Sequence, residues 1–111
     1  MADILTVEET AAVAMAYSLA PGYAFELIEF TLHLDLTPTT SEDFTATKNV
    51  AAGAAYDTLV YSKDLSTIAN DIYFSCEPEE FLFETGDTLD FAYTNTDTVT
   101  YGLQIKYRRK A

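Results

Sequence analysis

The chain has 111 residues, 49% of them hydrophobic, with 18 acidic and six basic side chains and a formal charge of −12. That length supplies one domain, which buries roughly two-thirds of its unfolded surface and folds without staples. The acidity excludes nucleic acid and anionic lipid as partners of the body; a single cysteine, Cys76, excludes an internal disulfide, and one Cys with one His excludes the usual four-ligand zinc site.

Residues 1–8 read as an extended leader ahead of a sandwich domain over residues 9–108. Asp3, Glu8 and Glu9 precede the first apolar run and no base occurs before Lys48, so no cleaved secretory signal is expected and a reducing compartment fits the lone thiol. The run Ala11 to Ala20 is ten residues, against roughly 20 for a helix that spans a bilayer. Within it Ala11, Val13, Met15, Tyr17 and Leu19 alternate with small residues. Alanine content permits a helix, but large side chains at the odd positions favour a strand, which Pro21-Gly22 closes.

From 24 to 36 the alternation is clearest, with Ile28, Phe30, Leu32, Leu34 and Leu36 in one row and Glu29, Thr31, His33 and Asp35 in the other. Thr37-Pro38 ends it, and Thr39 to Asp43 is a loop. A strand near 44–50 leads into a connection, Ala51 to Ala55, centred on Gly53. Strand four spans 57–63, the stretch 64–71 is a loop, and strand five is Ile72 to Ser75. Glu77-Pro78-Glu79 interrupts the pattern because Pro cannot donate to a ladder. Phe81 to Phe83 is strand six, and Thr85-Gly86-Asp87 turns the chain into strand seven, with Leu89, Phe91 and Tyr93 on one face. Asn95-Thr96-Asp97 is expected as a hairpin tip before a last strand through Val99, Tyr101, Leu103, Ile105 and Tyr107. About eight short strands predict an all-β fold, a single antiparallel β-sandwich of jelly-roll type, with the strand order left open.

Few residues carry chemistry. His33 shares a strand face with Asp35, a base beside an acid, but has no evident nucleophile. Cys76 is followed by Glu77, Glu79 and Glu80, which oppose thiolate formation, so it reads as an apolar filler. Glu84-Thr85-Gly86-Asp87 places two acids at a turn, where a cation site competes with a solvated turn. The glycines are scattered, so no phosphate loop is present. No catalytic, cofactor or metal residues are assigned, and a non-enzymatic role is expected.

The surface is more informative. Residues 1–105 hold all 18 acids and two bases, a charge of −16, while Lys106, Arg108, Arg109 and Lys110 hold the other four bases. This basic end, with residues 109–111 as a tail, has three possible uses: its own body, a neighbouring subunit or another acidic surface. Eight tyrosines exceed what a small core needs. The candidate protein interface is therefore Tyr17, Tyr23, Tyr56, Lys106, Arg108, Arg109 and Lys110.

The stretches Ser41-Glu42-Asp43-Phe44, Ala52-Gly53-Ala54-Ala55-Tyr56-Asp57-Thr58, Glu84-Thr85-Gly86-Asp87, Ala92-Tyr93-Thr94-Asn95-Thr96-Asp97 and Tyr101-Gly102-Leu103 together resemble small β-sandwich structural proteins of tailed bacteriophages. The resemblance covers residues 25–108 and leaves 1–23 unmatched. It implies a virion component made in the bacterial host cytoplasm: a capsid decoration or cement protein, or a head, neck or tail subunit. Its implied partners are the major capsid or another virion protein and further copies of itself, a trimer foremost, with no cofactor, nucleic acid or membrane. The alternative is a module that holds a glycan or receptor through loops 37–43, 51–57 and 94–98, with Tyr56 or Tyr93 in contact.

Overall fold

A computed structural model describes residues 3–68 and 71–110. Residues 1 and 2 of the expected leader, 69 and 70 of the loop at 64–71, and Ala111 of the tail lie outside the described residues. Nine strands occur among those described: β1 (Ile4–Ala11), β2 (Met15–Leu19), β3 (Phe25–Leu34), β4 (Asp43–Asn49), β5 (Thr58–Asp64), β6 (Asp71–Ser75), β7 (Leu82–Phe83), β8 (Thr88–Tyr93) and β9 (Tyr101–Arg109). Single 3-10 turns at Ala54–Tyr56 and Leu65–Thr67 flank β5.

One sheet has the order β1-β9-β3-β6, with β7 also on β3, and the other has the order β2-β8-β4-β5; each pairing is antiparallel. Six of the eight connections cross from one sheet to the other, which is the jelly-roll arrangement. The fold is thus the all-β sandwich that the alternation predicts.

Several elements differ from expectation. Residues 4–8 are not a free leader but most of β1, which pairs with β9 from Ile4↔Arg108 to Ala11↔Tyr101. The expected strand over 11–19 is broken at Ala12–Ala14, where the chain changes sheets. Likewise Asn95-Thr96-Asp97 is no hairpin tip, because β8 and β9 belong to different sheets. Asn95 has a left-handed backbone, φ 57°. Its side chain is buried, donating to the carbonyls of Val13 and Val99 at 3.0 Å each and accepting from the Val99 N–H at 2.9 Å. An asparagine fits here because it tolerates that φ and carries both a donor and an acceptor.

The long strand also has a fault. Its register with β9 shifts between Leu27 and Glu29, so Ile28 is a bulge and the apolar row runs Phe25, Leu27, then Phe30, Leu32 and Leu34. Before the bulge β3 pairs with β7; after it, with β6. Leu36 lies past the strand end and is exposed.

Between the sheets, Phe30 is the hub. Its ring centroid lies 4.8 Å from Phe74, 5.2 Å from Phe91, 5.7 Å from Tyr61 and 5.9 Å from Phe44. Most of these are edge-on or tilted contacts, the arrangements aromatic quadrupoles favour. A second group stacks Phe25 on Phe83 at 4.4 Å, with Tyr107 edge-on at 5.7 Å. No helix among the described residues is long and apolar enough to cross a membrane.

Candidate functional site

The strand directions place the connections 20–24, 50–57 and 76–87, together with the end of β9, at one end of the sandwich. Those at 12–14, 35–42, 65–68 and 94–100 lie at the other. Of the seven candidate interface residues, Tyr23, Tyr56, Arg108, Arg109 and Lys110 therefore share the first end. Tyr17 sits half-buried on β2, and Lys106 lies on the outer face of the β1-β9-β3-β6 sheet.

The basic tail is used by its own body. Glu26 lies beneath the 76–81 turn with only 2% of its surface exposed, accepting from the Glu79 N–H at 2.9 Å and from Arg108 Nη1 at 3.3 Å. Lys110 Nζ donates to Glu79 Oε1 at 2.8 Å, which raises the lysine's proton affinity and lowers the carboxylate's. The Lys110 N–H caps the Ala24 carbonyl at 2.9 Å, and the Arg109 guanidinium lies 4.5 Å from the centre of the Tyr23 ring. Of the tail's four cations, Lys106 alone makes no ion pair, side-chain hydrogen bond or ring contact with the described residues.

The tyrosines divide. The Tyr107 hydroxyl is pushed up to about 12 by burial first and then by the neighbouring Tyr23. Tyr93 is only 2% exposed, so it is no surface contact for a glycan, and burial first, then Glu42, Asp97 and Asp64, raises its pKa. Tyr56 stands 65% exposed, as expected, and Tyr73, not in the candidate set, is 70% exposed. Parity would have found Tyr73, which falls between the core residues Ile72 and Phe74 and so must face outward.

One uncharged part of the surface is the β4–β5 connection. Ala51, Ala52, Ala54, Ala55 and Tyr56 are all exposed, as are Leu59 just beyond and Leu82 from β7. This loop is held in place. Asp57 accepts from the Val50 N–H at 2.8 Å, Asp87 accepts from the Ala51 N–H at 3.0 Å, and the 3-10 turn closes Tyr56 N–H onto the Gly53 carbonyl at 3.1 Å. Gly53 itself sits at φ 141°, open to a residue without a Cβ.

The remaining sequence candidates resolve as follows. His33 is exposed, and its partner is Asp71 across the sheet, with Nδ1 2.5 Å from Oδ1, while Asp35 instead accepts from the Thr100 N–H at 3.2 Å. The Cys76 thiol is pushed up to about 11 by burial first and then by Glu80, Glu26 and Glu29. Asp87 in the acidic turn is buried, with its oxygens taken by the Ala51 and Glu84 N–H groups. Among the described residues no group of three or more His, Cys, Asp or Glu side chains is placed to hold a metal ion.

No protein-family model matches the chain, and no curated relative matches it in sequence.

Proposed function

We propose that this protein is a structural subunit of a bacteriophage virion, a capsid decoration or cement protein that docks through the 50–59 end of the sandwich and acts by protein contact rather than by catalysis. The observation that carries the reading is the rigid, uncharged loop Ala51–Tyr56 with Leu59 beside it, exposed on a molecule of charge −12. A charge-free apolar protrusion in an acidic surface is the composition of an interface core with its polar rim. Jelly rolls recur in viral capsid proteins, which supports the reading by analogy of fold alone. The resemblance of residues 25–108 to phage sandwich proteins supports the same reading, and repeated copies on a symmetric shell suit a homo-oligomer such as a trimer.

Quantitative mass spectrometry of density-purified particles from the source culture tests this. Hundreds of copies per particle are expected for a decoration protein. A few to a few dozen copies would move it to the head, neck or tail, and absence from particles would overturn the virion reading. Tyr56→Ala with Leu59→Ser should abolish incorporation while leaving the fold intact, since both side chains are exposed.

A further inference from the structure

The outer face of the β1-β9-β3-β6 sheet carries a second feature, independent of the virion reading. Cross-strand register aligns its side chains in rows: Tyr73, Thr31, Gln104 and Glu8 form one, and Asp71, His33, Gly102 and Thr10 form the next. Each row spans four strands at roughly 4.8 Å spacing. Gly102 leaves a gap in this grid, because a side chain there would meet nothing within 4 Å. The result is a hollow of about 440 Å³ bordered by Glu8, Glu9, Thr10, Thr31 and Gln104. That volume falls within the range of small-molecule sites, roughly 300–1,000 Å³.

The borders offer hydrogen bonds in both senses. Glu8 uses one oxygen to accept from Gln104 Nε2 at 2.8 Å, which fixes both side chains. The other Glu8 oxygen and the Gln104 carbonyl remain open to a ligand, and the Thr31 hydroxyl makes no hydrogen bond within the described protein. Beside Thr31 stands Tyr73, the most exposed large apolar or aromatic side chain described, at 70%, with its hydroxyl tethered to Glu29 at 3.2 Å. A tethered, solvent-facing ring next to a floor of paired acceptors and hydroxyls matches the two faces of a pyranose: its C–H face packs on the aromatic ring and its hydroxyl edge meets the polar groups. Glu8, Glu29 and Asp71 lie on this face of the sheet, and Lys106 is the one permanently cationic side chain nearby, so a carboxylated or sulfated sugar is repelled.

We infer that this face is a binding site for an uncharged oligosaccharide, with Tyr73 as its stacking platform and Thr31, Gln104 and Glu8 as its polar floor. Two substitutions test it without threatening the fold. Gly102→Val fills the hollow where no atom is in the way and suits a strand, and Tyr73→Ala removes an exposed ring. The full chain would be screened on an array of neutral and anionic glycans. It would then be titrated with maltohexaose, cellohexaose, N-acetylchitohexaose and any array hit, with hyaluronan hexasaccharide as the anionic control, following the amide ¹⁵N–¹H signals. Expected are shifts at Thr31, Tyr73, Gly102 and Gln104 with a neutral oligomer and none with hyaluronan, and at least a tenfold loss of affinity in each variant. Silence with every neutral sugar, shifts confined to the 50–57 loop, or unchanged affinity in Gly102→Val would each overturn the site. None of these outcomes touches the particle copy number on which the virion reading stands.

Discussion

At the scale of single residues, the fold depends on polar side chains that sequence alternation assigns to loops. Asn95 satisfies three backbone groups where two sheets meet. Asn95→Ala strands a buried N–H and two carbonyls and keeps the left-handed backbone, so a loss of about 2–4 kcal/mol is expected from urea unfolding. Asn95→Gly relieves only the backbone part and should recover about 1 kcal/mol of it; full recovery would mean that the hydrogen bonds contribute little. Glu26 is the second such residue. Removing it leaves the Arg108 cation and the Glu79 N–H without an acceptor, so Glu26→Ala should cost about 3 kcal/mol. The double substitution with Arg108→Ala should cost clearly less than the sum of the two single changes, and a strictly additive pair would show that the contact carries no coupling. Neither role is visible in sequence. Glu26 looks like any outward residue beside a core strand until a turn 53 positions away covers it, and the basic end shows its charge but not that Glu26, Glu79 and Tyr23 take up three of its four cations.

At the scale of elements, period-two alternation reveals strands wherever one face is buried and the other wet, as in β3, β8 and β9. It fails where that contrast vanishes. Along β1 only Val7 and Ala11 are even half-buried, so residues 4–8 offer no alternation to read and look like a leader. Connectivity fails for a related reason, since a turn signal such as Asn95-Thr96-Asp97 is the same whether the chain doubles back in one sheet or crosses to the other. Of the candidate surface, Tyr56 and its alanine loop were legible from composition. Parity turns Tyr73 outward, but its place next to the gap at Gly102 required register, because only pairing puts Thr31 beside both Tyr73 and Gln104. The thin burial of β1 has a dynamic consequence. Native-state hydrogen exchange followed by mass spectrometry should show the β9-bonded amides of Ile4–Ala11 exchanging at least tenfold faster than those of β3, whose Phe30, Leu32 and Leu34 lock it in the core. Equal protection in the two strands would mean that the jelly roll opens only as one unit.

At the scale of the whole molecule, charge and proton linkage pull stability in different directions, and the groups involved decide which prevails. Asp97 is held below the usual carboxylate range by Thr40 and Thr39, Asp64 by Ser41 and Ser66, and Glu79 by Lys110. A carboxylate with a depressed folded pKa stabilises above its unfolded value, 3.8 for Asp and 4.5 for Glu, and loses that contribution as pH falls through the folded one. The opposite holds for Cys76 and Tyr107, raised to about 11 and about 12 from 9.0 and 10.0. Both stay neutral when folded, so stability is intact below pH 9 and is lost as pH climbs toward 12. Between these limits the net charge of −12 at pH 7 shrinks toward the isoelectric point near 4.1, which relieves self-repulsion without yet protonating the depressed carboxylates. The melting temperature should therefore peak at about pH 5–6, fall steeply below pH 4 as the capped loops at 35–42 and 94–98 lose their carboxylates, and decline again above pH 9. Adding 0.5 M sodium chloride should raise it at pH 8 and leave it nearly unchanged at pH 4.5, where little net charge remains to screen. A melting temperature still rising at pH 3 would show that repulsion, not the Asp97 and Asp64 caps, governs the acid limb.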